Sequence, residues 1–232
     1  MLLANLSPVI LLLSYHGWRK NVMMPLCADG PGEKMSVPDQ YQTVAEWRAR
    51  HEPGDLWVFA YGSLMWRPGF SFVERVPAVL HGWHRSLCIL SIQYRGTPEV
   101  PGLVLGLDRG GSCKGIAYRV AAGERQAAAE YLDGRELPSR CYLPRFAPIR
   151  LTDGRRVDSY VYVTDPAHPQ YGGHLSAQRR LALLCQGRGE QGSSRDYLAQ
   201  TVAQLAALGV RDGLLQRTLA AVDASLASGL SC

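Results

Sequence analysis

No two of the six cysteines are spaced as Cys-x-x-Cys, which argues against a zinc finger or a dithiol redox centre. Basic residues outnumber acidic ones, for a net charge of +5, but they are scattered and never run five together. That removes a basic nucleic-acid arm, while a mildly positive surface still suits small anionic substrates. No apolar run reaches the roughly 20 residues of a membrane span. Residues 2–15 come nearest, but Asn, Ser and Pro interrupt them. Their basic neighbours, Arg19 and Lys20, follow the apolar part, whereas a secretory signal has its charges first. Internal repeats and low-complexity segments are lacking as well.

What remains is a globular composition. The chain has 232 residues, 47% hydrophobic and 19% charged, enough for one domain or two small ones. Residues 1–37 read as an N-terminal extension that is disordered or not native, with Met23, Met24 and Met35 as alternative starts. An anchor formed by residues 2–15 is the competing reading. Residues 38–228 read as the folded domain. Asp39 is expected to cap a helix through "YQTVAEWRARH", with Val44 and Trp47 on one face. Trp57–Tyr61 reads as a strand. Between 73 and 120, short Val/Leu/Ile/Tyr runs broken by Gly and Pro suggest an antiparallel sheet or small barrel. "GLDRGGS" (106–112) is expected to be a hairpin turn; it matches neither a dinucleotide nor a P-loop pattern. "GERQAAAEYLDGRE" (123–136) reads as a helix. "FAPIRL" and "RRVDSYVYVT" return to strand, the second with Val157, Ser159, Val161 and Val163 alternating against Asp158, Tyr160 and Tyr162. From Ser176 onward Leu and Ala recur at helical spacing. Strands first and helices last give an α+β class, with helices on one side of a sheet or barrel.

Four groups of residues could carry chemistry. In Tyr61-Gly62-Ser63-Leu64 a strand breaks on a small pair. A nucleophile elbow would need glycines at 61 and 65, where Tyr and Met stand, so an acylated Ser63 is disfavoured. A plain turn and a backbone cradle, made possible by the missing Cβ of Gly62, both remain. Glu136, in "YLDGRELPSRCY", is either a solvated helix-end glutamate or a carboxylate facing the sheet mouth, where burial would raise its pKa toward general-base use. Asp133 and Arg135 are expected to structure that turn. His81 and His84 lie in a strand, where spacing three puts them on opposite sides. His168 and His174 lie in a loop without a third ligand, so no metal site is expected. Cys88 and Cys113 read as small buried hydrophobes, as suits a reducing compartment.

In order along the chain, "WVFAYGSLMW" (57–66), "YRGTPEVPG" (94–102), "GIAYRV" (115–120), "YLDGRE" (131–136) and "DYL" (196–198) resemble the ChaC family of glutathione-specific gamma-glutamylcyclotransferases. The resemblance spans roughly residues 40–220. It implies a gamma-glutamylcyclotransferase-like fold, a small mixed β-barrel with surrounding helices and a C-terminal helical segment. It also implies cleavage of glutathione to 5-oxoproline and cysteinylglycine. The catalytic glutamate falls on Glu136 and the substrate cradle on Tyr61, Gly62, Ser63 and Leu64; further pocket positions fall on Arg95, Tyr142 and Tyr197. The nucleophile is then the substrate's own amine, so no cofactor and no metal are required. The expectation is a cytoplasmic monomer that acts on a small molecule, without nucleic acid and without stable membrane association. The alternatives are a cyclotransferase for other γ-glutamyl amines and a non-catalytic γ-glutamyl-binding protein of the same fold.

Overall fold

The computed structural model describes residues 43–228. The expected N-terminal extension over 1–37, and Asp39 with it, lie outside the described residues. The first helix, α1, spans Val44–His51, and its cap is Thr43, whose hydroxyl accepts from the Glu46 N–H at 3.1 Å. The expected apolar face is corrected. Val44 is exposed and Trp47 only half-buried, stacked on His51, while Glu46 and Ala49 point inward. Glu46 can do so because Arg140 meets its carboxylate at 2.9 Å.

Five strands close a barrel in the order β1-β3-β2-β4-β5: β1 Leu56–Ala60, β2 Glu74–Ser91, β3 Gly102–Val120, β4 Tyr142–Leu151 and β5 Arg156–Thr164. Neighbours are antiparallel except β1 and β5, whose parallel pairing closes the ring. Both faces of the sheet are covered. Phe59, Tyr61, Ala117, Val161 and Val163 belong to one cluster, and Val58, Ala60, Tyr118, Tyr160 and Tyr162 to another that includes the helices. So β5 alternates as expected, but its tyrosine face is buried as well.

The stretch 106–112 is not a hairpin turn. It runs inside β3, where Arg109 pairs Trp83 and Ser112 pairs His81. Gly110 and Gly111, both at positive φ, face the single residue Gly82, also at positive φ: a bulge that bends the long β2–β3 ribbon. The true hairpin loop is 92–101. The bend has a consequence for β4. Only Ala78–Leu80 of β2 pair with it, opposite Ile149–Leu151, so from about residue 81 the two strands diverge and leave one end of the barrel open.

Helix α2, Arg125–Glu136, packs across the barrel, and α3 Ala177–Gln186, α4 Ser194–Ala207 and α5 Gly213–Ala227 follow the last barrel strand. Between α3 and α4, Arg188–Gly189 (β6) and Gly192–Ser193 (β7) form a small ribbon. Among the described residues no helix is long and apolar enough to cross a membrane.

Candidate active site

A cavity of about 700 Å³ fills the open end of the barrel, and all eight residues singled out from the sequence line it: Tyr61, Gly62, Ser63, Leu64, Arg95, Glu136, Tyr142 and Tyr197. They come from the end of β1, the ribbon loop, the end of α2, the start of β4 and the first turn of α4. No histidine is among the lining residues.

After β1 the chain enters a single 3-10 turn, Ser63–Met65. Its carbonyls are all claimed. Tyr61 O accepts from Arg85 Nε at 2.7 Å, Gly62 O from the Met65 N–H at 2.9 Å, and the Tyr118 hydroxyl donates to Leu64 O at 3.2 Å and Met65 O at 3.0 Å. Arg85 itself sits 3.8 Å from Asp212. Because a trans peptide points its C=O and N–H in opposite directions, fixing the carbonyls also fixes the amides. The N–H groups of Gly62, Ser63 and Leu64 find no acceptor among the described residues. Gly62 is required by close approach: a Cβ there would lie 2.8 Å from the Tyr197 hydroxyl.

Glu136 is the last residue of α2, with 19% of its side chain exposed. Burial pushes its pKa above the usual glutamate value, and the Arg135 guanidinium, with Nε 3.0 Å from Oε1, pulls the other way without cancelling it. Arg135 does more than structure the turn. It also donates to Ser63 Oγ at 2.8 Å and to Arg67 O at 2.6 Å, and so ties the carboxylate to the Tyr-Gly-Ser-Leu turn. Ser63 Oγ thus accepts from a cation, and no base among the described residues is hydrogen-bonded to it, the opposite of an activated nucleophile. Asp133 faces away, where its carboxylate receives the Tyr160, Tyr162 and Arg50 donors and anchors α2 on β5 and α1.

The far wall is cationic and aromatic. Arg95 is buried, with its guanidinium carbon 5.5 Å from the centre of the Tyr197 ring, and burial lowers its pKa. It donates to Ser193 O at 3.3 Å, and no carboxylate among the described residues lies within ion-pair distance. Tyr142 and Tyr61 donate to Leu105 O at 2.8 Å and Tyr162 O at 2.9 Å. Burial holds both phenols well above their usual pKa. Sequence reasoning missed the roles of Arg85, Tyr118 and Arg135 at this site. Only Arg135 had a signal, its adjacency to Glu136.

The sequence profile of the ChaC-like protein family matches residues 56–225. The chain is 37% identical over 178 residues to the Escherichia coli (strain K12) glutathione-specific gamma-glutamylcyclotransferase, covering 77% of each chain. It is 31% identical over 165 residues to gamma-glutamylcyclotransferase 2-3 of Arabidopsis thaliana, covering 68% of this chain and 83% of that one. A solved yeast gamma-glutamyl cyclotransferase specific to glutathione superposes with a TM-score of 0.68 at 22% identity, over 73% of this chain and 96% of that one, and so shares the fold.

Proposed function

The chain belongs to the ChaC-like family, and from that premise we propose that it is a glutathione-specific gamma-glutamylcyclotransferase, a lyase that converts glutathione to 5-oxoproline and cysteinylglycine. One observation carries the reading: a desolvated glutamate is tied by Arg135 to a turn whose three amide N–H groups have no acceptor among the described residues.

In the reaction the substrate's α-amino nitrogen attacks its own γ-carbonyl carbon, and the C–N bond to the cysteinyl nitrogen breaks. Intramolecular attack is fast once the γ-glutamyl chain is held curled, so the protein chiefly orients and moves protons. Glu136 takes a proton from the ammonium and returns one to the departing amine. The amides of residues 62–64 bind oxygen atoms at the γ-glutamyl end. Arg95, with no acidic partner among the described residues, pairs with a substrate carboxylate. Tyr61 and Tyr142, whose protons go to backbone carbonyls, offer lone pairs to the ammonium. No cofactor enters this scheme. A monomer is the state of this reading, and the cytoplasm, where glutathione is reduced, is its compartment. Cys88, Cys113 and Cys141 are buried free thiols, as that compartment favours.

The decisive experiment incubates purified protein with glutathione and measures both products chromatographically, with γ-glutamyl amino acids in parallel. Equal release of 5-oxoproline and cysteinylglycine is expected. Release from the γ-glutamyl amino acids alone would replace glutathione as the substrate.

Two variants probe the site. Gly62→Val drives a side chain toward the Tyr197 hydroxyl and should raise KM for glutathione about tenfold, equivalent to roughly 1.4 kcal/mol, or lower Tm. If neither moves, the turn is no cradle. The second concerns pH. A base works only when deprotonated, and burial raises the Glu136 pKa, so the acid limb of kcat/KM should lie above the ordinary glutamate value of 4.5. Arg135 opposes that rise, so Arg135→Met should move the limb to still higher pH. A limb that stays put would detach Arg135 from the ionisation of Glu136.

A further inference from the structure

The three cavity phenols are not equivalent. Tyr61 and Tyr142 give their protons to carbonyls. Tyr197 is only 7% exposed, yet its hydroxyl proton reaches no acceptor among the described residues. Burial raises the Tyr197 phenol above its usual pKa, so it keeps its own proton. Tyr197 lines the cavity, so its O–H is available to donate to a ligand there.

Its position says which ligand atom. The ring is fixed on α4 between Trp66, with centroids 6.0 Å apart, and the Arg95 guanidinium. The oxygen lies 2.8 Å from where a Gly62 Cβ would stand, directly against the turn whose amides lack acceptors. Donors of two kinds therefore lie side by side on the cavity wall. We propose that Tyr197 is a catalytic residue whose phenolic O–H donates to the γ-carbonyl oxygen as it becomes an oxyanion, beside the Gly62 turn. The proposal rests on the cyclotransferase reading. No proton changes hands at Tyr197, because burial holds the phenol's pKa above its usual value and it acts as a hydrogen-bond donor only.

The test is Tyr197→Phe, which keeps the ring and removes the O–H. Loss of one oxyanion donor should lower kcat about 10²-fold, with KM within about threefold of the parent. A kcat within threefold of the parent overturns the assignment. So does a raised KM with unchanged kcat, which would mark a group that binds substrate and transition state equally. Should the Tyr197→Phe variant fail to fold, fluorotyrosine incorporated at that position keeps the hydroxyl and strengthens it as a donor, and a kcat insensitive to fluorination overturns the proposal. If the parent protein forms no 5-oxoproline from glutathione, the functional reading falls first and this assignment with it. An active parent with an equally active Tyr197→Phe variant removes the assignment alone.

Discussion

Glu136→Gln should cut turnover of glutathione by roughly 10²–10⁴-fold, the range a positioned acid–base group contributes, while glutathione still binds in a calorimeter. Gln matches Glu in size, and its Oε1 can still accept from Arg135 Nε, which lies 3.0 Å from Oε1 in the parent. The link from Arg135 to Ser63 and Arg67 also survives, so the cradle keeps its shape. What is lost is the ability to hold and release a proton. Stability should change in the opposite sense. Burial raises the folded-state pKa of Glu136 above its unfolded value, so the charged carboxylate opposes folding once the pH exceeds the raised pKa, and this penalty vanishes below the ordinary glutamate range. At neutral pH the Gln variant should therefore melt no lower than the parent, and any gain should fade on acidification. Turnover within tenfold of the parent would remove Glu136 as the proton carrier.

That carboxylate, and the turn it faces, were legible because local chemistry marks them. A strand rich in aromatic and β-branched residues that breaks on Gly62 already posed the choice between a turn and a cradle. Glu136, closing a helix and followed by Leu-Pro, posed the choice between solvent and barrel mouth, and the family resemblance resolved both. The supporting residues were less visible, because their partners are far away in sequence. Arg85 reaches Tyr61 O across 24 positions and Arg135 reaches Ser63 across 72. No periodicity encodes such pairs. The ribbon bulge was misread for a related reason. Gly110-Gly111 is turn chemistry, and only the strand pairing of Arg109 with Trp83 and Ser112 with His81 shows that the ladder continues past it. Glu46 fooled the amphipathic reading of α1, since a charged residue faces inward only when a distant cation, here Arg140, is waiting.

Asp133→Asn should do the reverse of Glu136→Gln and lower stability while sparing the chemistry. Asp133 is 6% exposed, and its two oxygens divide three donors. Oδ1 accepts from the Tyr160 hydroxyl at 2.6 Å and the Tyr162 hydroxyl at 2.8 Å, and Oδ2 accepts from Arg50 Nη2 at 2.6 Å. Burial, reinforced by the Asp133 charge, keeps both phenols protonated, so both remain donors. An amide has one acceptor end and one donor end. Whichever way the substituted side chain turns, its NH₂ group confronts either the guanidinium or the two hydroxyls. Breaking a buried, charge-assisted set of this kind costs about 3 kcal/mol, at the low end of the usual range because Arg50 is partly solvated. In a domain of this size that lowers Tm by roughly 6–12 °C. The Asp133 carboxylate points away from the cavity, so well below the new Tm kcat should stay within about tenfold of the parent. Thermal melts and initial rates on the same preparation separate the two residues: one variant melts normally and is inactive, the other is active and melts early. A Tm shift below about 2 °C would mean that these three hydrogen bonds do not hold α2 to the barrel.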